Sequence, residues 1–265
     1  MAVWFVTGAA RGIGHRVARE ALRRGHRVVA TGRDLAAVTD AFDGVAGEVL
    51  PVELDLLRPE APASAVEQAM RRFGRIDVLV HAASRTVRDP LQETTDAQAR
   101  ALFDVNVVGM LAVTRAVLPV LSAQRAGRII AVGSAAGFST PPVRVCTARP
   151  WRPSRHCARR SAPSWTGSSL RDRRRTRPLR HLADGVRSRP APAGDPYKAA
   201  SAILDLLTVD DPPLRLQLGA DAVAHVEAKL ERVSQELDLW RPVSLGTVFD
   251  LDLPRQNGHR PPRDT

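Results

Sequence analysis

Through the first half of the chain, short continuous apolar runs alternate with longer stretches in which apolar side chains recur every three or four positions. "VWFVTG" (Val3 to Gly8) is one such run, and from Gly12 onward "GIGHRVAREALRRG" places Ile13, Val17 and Ala21 on one helical face before Gly25. The combination predicts strand, turn, helix. "HRVVATG" and "VLPVELD" predict a second and third strand, "SAVEQAMRRFG" a helix and "IDVLVHA" a fourth strand. "DAQARALFDVNVVGMLAVTRAVLPVLSAQ" predicts one long helical stretch, and "GRIIAVGS" a fifth strand. Apolar strands separated by helices of this length pair in parallel through right-handed crossovers. The predicted fold is therefore α/β, a doubly wound parallel sheet (Rossmann fold) in a single domain over 1–250.

The pattern breaks at "CTARPWRPSRHCARRS" (Cys146 to Ser161), and the segment 143–190 is predicted to be irregular. Order returns at "DPYKAASAILDLL", where Asp195 and Pro196 suit an N-cap and first turn, with Ala199, Ile203 and Leu206 on one face. "LRLQLG" then predicts a strand and "ADAVAHVEAKLERVSQELDLW" a long amphipathic helix. The composition of "PRQNGHRPPRDT" predicts a flexible tail over 251–265.

Charge sharpens this division. The net charge of +11 would ordinarily point to nucleic acid or an anionic membrane as partner, yet 143–190 holds 14 Arg, no Lys and two Asp. The rest of the chain carries 25 basic against 26 acidic side chains. Basicity thus belongs to one segment that has no recognisable binding fold, and neither a nucleic-acid nor a membrane partner is expected. Both cysteines, Cys146 and Cys157, fall in that segment, so neither a disulfide framework nor a metal site is inferred from them. With 265 residues, 44% of them hydrophobic, the chain can bury one sizeable core. No apolar run approaches the roughly 18 residues of a membrane span, and the N-terminus reads as a strand rather than a leader, which predicts a cytoplasmic location.

"TGAARGIG" (Thr7 to Gly14) lies between the first strand and the first helix, where glycines allow close backbone approach and a helix N-terminus presents unpaired N–H groups to a pyrophosphate. Thr7, Gly8, Gly12 and Gly14 match the T-G-x-x-x-G-x-G of the short-chain dehydrogenase/reductase family, which the chain resembles over about residues 3–142 and 191–250. Further matches follow in the family's order. Asp55 in "LDLL" resembles the aspartate that contacts adenine, Asn106 in "FDVNVVG" the structural and proton-relay asparagine, and Ser134 in "AVGSAAG" the catalytic serine. The cofactor contacts implied are Thr7, Gly8, Arg11, Gly12, Ile13, Gly14, Arg33, Asp55, Ala82 and Ala83. An acidic residue after the second strand favours NAD by binding the ribose 2′-hydroxyl, whereas arginine there meets the 2′-phosphate of NADP. Here Arg33 comes first, followed by Asp34, with Arg11 in the glycine loop, so NADP is the expected cofactor.

Two departures qualify the resemblance. The family's N-N-A-G is here "HAAS" (His81 to Ser84), with His81 expected to replace a strand-tying asparagine in the core and cofactor affinity expected to fall. More serious, the family's Tyr should lie about a dozen residues after Ser134, with a Lys four residues later, and neither is present. The sole tyrosine of the chain is Tyr197, beside Lys198, at a predicted helix start. Read one base earlier, the Cys146/Thr147 codon junction encodes Tyr or His, and the following junctions permit a helix like the family's, as a frame disruption would leave. The Pro150/Trp151 junction, where the Lys should fall, permits only Val, Leu or Met, and the spacing to "WTGSSL" implies that the sixth strand is missing too.

The resemblance implies NADP(H)-dependent reduction of a small carbonyl compound, or oxidation of an alcohol, impaired in this chain by loss of the Tyr/Lys pair. The alternative is a non-catalytic NADP-binding sensor or scaffold. Relatives commonly form dimers or tetramers through their fourth and fifth helices, so a homo-oligomer is also implied.

Overall fold

A computed structural model describes residues 1–87, 89, 93–134, 137–138 and 194–247. The Arg-rich segment 143–190, both cysteines and the tail 251–265 lie outside them. The chain divides into two compact units, Met1–Val226 and Glu227–Thr265.

In the first unit, β1 (Val3–Thr7), β2 (Arg27–Gly32), β3 (Val49–Glu53), β4 (Val78–His81) and β5 (Arg128–Ala131) form one sheet in the order β3-β2-β1-β4-β5. Every pairing is parallel. Register brings Thr7 level with Thr31 and His81, and His81 level with Ala131, so the loops that leave the strands share one edge. The chain order reverses between β1 and β4, the crevice where open α/β sheets bind ligands.

Side-chain alternation divides the core between two faces. Trp4 and Val6 of β1 pack with Val28, Val80, the α1 (Gly12–Arg23) residues Val17, Ala18 and Ala21, and Val38 of α2 (Leu35–Ala41). Val3 and Phe5 face the other way, toward Ala65 and Ala69 of α3 (Ala61–Phe73) and Val113, Val117 and Leu121 of α5 (Met110–Gln124). α6 (Pro196–Asp205) returns to the first face with Ala200, Ile203 and Leu204. Ile203 is on its buried face as predicted, but Ala200 and Leu204 complete that face in place of Ala199 and Leu206. Asp195 is its N-cap, as predicted, accepting from the N–H groups of Tyr197 at 2.8 Å and Lys198 at 3.5 Å.

The predicted long helical stretch is present as α4 (Asp96–Phe103), a π-helical turn (Asp104–Gly109) and then α5. Two further expectations are corrected. Together Asp96–Gln124 is 29 residues, long and apolar enough by composition to cross a membrane, contrary to the estimate from apolar runs. The burial of Val113, Val117 and Leu121 against β1 and β4 identifies it as a core helix of the sheet instead. "LRLQLG" is not a strand: Leu214 is 92% exposed, and the segment has no ladder partner among the described residues. A parallel strand exists only by pairing, and β5 ends the sheet among the described residues.

Helix α7 (Ala220–Leu245) spans 26 residues and buries none of them. Its portion from Glu227 onward, with Gly246 and Thr247, is what is described of the second unit.

Candidate functional site

Thr7 organises the reversal point. Its hydroxyl donates to the Val80 carbonyl at 3.3 Å and accepts from the N–H groups of Ala82 at 3.1 Å and Ala83 at 3.2 Å, joining the ends of β1 and β4. Gly8, at φ +68°, follows: a Cβ there would lie 2.7 Å from the Ala83 Cα, so only glycine lets the two loops touch. A Cβ on Gly14 would meet the Gly8 carbonyl oxygen at 2.5 Å and the Ala82 Cβ at 3.0 Å. Gly12, at φ +66°, has nothing within 4 Å of such a Cβ and faces open space at the first turn of α1. Thr7, Gly8, Gly14, Ala82 and Ala83 are therefore brought together where β1 and β4 end.

The same turn is polarised to receive an anion. Arg11 is the N-cap of α1 without a capping side-chain hydrogen bond, and no acidic residue lies in the first turn. The first N–H groups keep their partial positive charge beside the exposed Arg11. Ile13 is half-buried against the core. Burial holds the His15 imidazole below its ordinary range; the Ala9 backbone opposes this, while Arg16 and Arg19 reinforce it.

The loops after β2 and β3 lean on this turn. Ala9 N–H donates to the Thr31 carbonyl at 2.9 Å, and Leu54 N–H to the Gly32 carbonyl at 2.7 Å. That leaves Arg33 directly after the turn's anchor, exposed, with no hydrogen bond or ion pair among the described residues. Asp34 is already committed, capping α2 through the Ala37 N–H at 3.2 Å. Asp55 is half-buried and accepts from Leu57 N–H at 3.0 Å.

Asn106 lies in the π-helical turn, 1% exposed. Its amide bonds in both directions with the Arg85 backbone, which pins the loop after β4. Gly109 closes the same turn, and a Cβ on it would be 2.6 Å from the Leu56 Cβ. Wide π turns recur where a helix must re-aim a side chain at a functional site. Ser134 is exposed in the loop after β5, which is tied to β4 by Val132 N–H donating to the His81 carbonyl at 2.9 Å. His81 itself is 2% exposed, with Nε2 at 2.9 Å from Thr114 Oγ1. The Thr114 hydroxyl donates to the Met110 carbonyl at 2.9 Å, so His81 Nε2–H is the donor in this pair and holds β4 to α5. His81 is thus a core residue, as expected.

Tyr197 stands apart. It is 61% exposed, Arg16 Nη1 donates to its hydroxyl at 2.5 Å, and the guanidinium sits 4.3 Å over its ring. The pair clamps α6 to α1, a structural use that 181 residues of separation hide from sequence reading. A second clamp lies at the other end of α1, where Arg24 binds Glu20 at 2.8 Å, Asp205 at 2.6 Å and the Ser201 hydroxyl at 2.6 Å. No group of three or more His, Cys, Asp or Glu side chains able to hold a metal occurs among the described residues.

Comparisons with known proteins agree with this geometry. The short chain dehydrogenase family pattern matches residues 2–146. Oxidoreductase BOA17 of Botryotinia fuckeliana is 29% identical over 93% of this chain and 99% of its own length. The bovine dehydrogenase/reductase SDR family member 7B is 30% identical, but the match covers 54% of this chain and 47% of that protein. A short-chain dehydrogenase from Streptomyces avermitilis superposes with a TM-score of 0.73 at 28% identity, covering 94% of this chain and 98% of that one. An archaeal alcohol dehydrogenase from Thermococcus sibiricus, complexed with 5-hydroxy-NADP, matches at 25% identity and a TM-score of 0.50 over 54% of this chain and 62% of that one. A parallel sheet with its glycine loop at the reversal point, and a family pattern running through more than half of the sequence, together show that this chain belongs to the short-chain dehydrogenase/reductase family of NAD(P)-dependent oxidoreductases.

Proposed function

We propose that the chain binds NADP at the turn after β1 and descends from reductases of small carbonyl compounds, with turnover strongly reduced. The cofactor reading rests on the contrast between neighbours: Asp34 caps α2, whereas Arg33 is uncommitted beside the glycine loop. An aspartate spent on a helix cap is poorly placed to select a ribose 2′-hydroxyl, and a free arginine suits a 2′-phosphate. The NADP analogue carried by the Thermococcus sibiricus relative supports the same choice.

The residues present fit a dinucleotide. Gly12 faces open space, and the uncapped start of α1 with Arg11 offers donors and positive charge. When bound, the nicotinamide supplies the hydride. The chain's part is to hold the cofactor, orient a carbonyl oxygen through Ser134, and supply a proton to that oxygen. For the last task it lacks the family's Tyr/Lys pair, and Tyr197 has its hydroxyl bound to Arg16. Without a positioned acid, a loss of roughly 10²- to 10⁴-fold is the expected scale.

An NADPH oxidation assay against a panel of small aldehydes and ketones tests this reading. Near-background rates, unchanged by Ser134→Ala, are expected. Rates typical of a working reductase, abolished by Ser134→Ala, would overturn the impairment. The second reading, a non-catalytic NADP sensor or scaffold, is favoured by the same combination of an intact cradle and an absent acid.

A further inference from the structure

Helix α7 carries a feature that cofactor binding does not use. Val223, Val226, Leu230, Val233, Leu237 and Trp240 follow one another at alternating spacings of three and four. That is the narrow a/d seam of a heptad repeat, distinct from the wider stripe of a helix lying on a globular core. The seam is open: Leu230 is 55% exposed, Leu237 50% and Trp240 59%. Pro242 falls at an outward f position, so it does not interrupt the seam.

We propose that α7 docks against α7 of a second copy of this chain, in antiparallel pairing. A heptad seam is covered best by a helix of the same period, and a second copy always brings one. The Arg-rich stretch 143–190 keeps this spacing for at most three successive apolar positions, as in Leu179, Leu182 and Val186, against six on α7. An anionic membrane is a poor occupant, because Ala220–Leu245 holds five acidic against three basic side chains.

Antiparallel pairing sets each a position against a d position of the other helix. Val223 then faces Trp240, Val226 faces Leu237, and Leu230 faces Val233, so the bulkiest side chain meets one of the smallest in every copy of its layer. Flanking the seam, the charged g positions are Lys229 and Glu236. In this orientation each Lys229 lies beside Glu236 of the second copy, twice by symmetry. A parallel pair would instead stack Trp240 on Trp240, the bulkiest side chain of the seam against itself.

The test is sedimentation equilibrium of the full-length protein from about 1 to about 100 μM, the range in which a short coiled coil with this number of layers should associate. The wild type is expected to dimerise. L230E/L237E should raise the dissociation constant at least about tenfold, with the circular dichroism unchanged. K229E and E236K should each weaken the dimer, and K229E/E236K together should restore it, because the swapped charges attract again. A monomer throughout the range overturns the proposal. So does a dimer indifferent to L230E/L237E but lost in F103E, which would place the interface on α4, where Phe103 is 53% exposed. Additive weakening without restoration in the double swap overturns the antiparallel pairing.

Discussion

The Asn106 amide and the Arg85 backbone hydrogen-bond in both directions, Nδ2 donating to the carbonyl at 2.9 Å and Oδ1 accepting from the N–H at 2.8 Å. An asparagine singled out in the sequence for a structural and relay role thus has its side chain fully engaged in holding a loop. The structural part of that role is what the geometry displays. Asn106→Ala should leave two partly buried backbone groups of Arg85 without partners and cost about 2–3 kcal/mol. Urea denaturation would measure it, and a change below about 0.5 kcal/mol, the scale of an ordinary surface substitution, would show that the loop is held by something else.

The glycines of the loop after β1 should respond unequally to alanine. At Gly8 a Cβ meets backbone at 2.7 Å, and at Gly14 it meets the Gly8 carbonyl at 2.5 Å, so each substitution must force β1 and β4 apart or shift α1. At Gly12 the space is open and the main penalty is positive φ, about 1 kcal/mol. Thermal melts of the three variants should rank Gly12→Ala nearest to wild type. Equal losses at all three positions would contradict the packing described.

Acid stability should carry the signature of Glu20. Hydrogen bonds from Arg23 and then Arg24 lower its carboxyl to about 2, against the opposing effect of burial. The folded state therefore binds fewer protons than the unfolded chain over this interval. The contribution is present in full above the ordinary carboxylate range and is lost as pH falls from about 4.5 toward 2. Glu20→Gln should flatten the stability profile across that window and weaken the Arg24 clamp to Asp205 and Ser201. Denaturation midpoints at pH 3 and pH 6 would read both effects.

Tyr197 offers a separate check. If its hydroxyl serves Arg16 and the α1–α6 clamp, Tyr197→Phe should lower stability by about 1 kcal/mol and leave any residual NADPH oxidation unchanged. Loss of that residual rate with stability intact would make Tyr197 the missing acid.

The sheet was legible because β1 to β5 are continuous apolar runs, and buried parallel strands have to be. Thr7, Gly8 and Gly14 were legible through the resemblance of "TGAARGIG" to the family's motif, and the close loop contact explains why Gly8 and Gly14 admit few other residues. The π-helical turn around Asn106 was not, because widening one helical turn leaves the apolar period almost unchanged. The seven residues of α2 were too short for a period, although Asp34 ahead of "LAAV" was an available cap signal. "LRLQLG" had the apolar alternation of a strand without a neighbour to pair with. The Arg16–Tyr197 and Arg24–Asp205 contacts each join residues 181 positions apart, which no local pattern reveals.

Arg33 should decide between the cofactors. Arg33→Ala ought to weaken NADPH binding about tenfold or more and leave NADH binding within about twofold, because only the 2′-phosphate loses a charged partner. If NADH suffers equally, Arg33 is supporting the fold rather than reading the phosphate.

An equilibrium titration of the wild-type protein with NADPH, followed by cofactor fluorescence, with NADH alongside, tests cofactor binding most directly. Saturable NADPH binding, at least about tenfold tighter than NADH, is the predicted result. No saturable binding of either cofactor, or a preference for NADH, would contradict it.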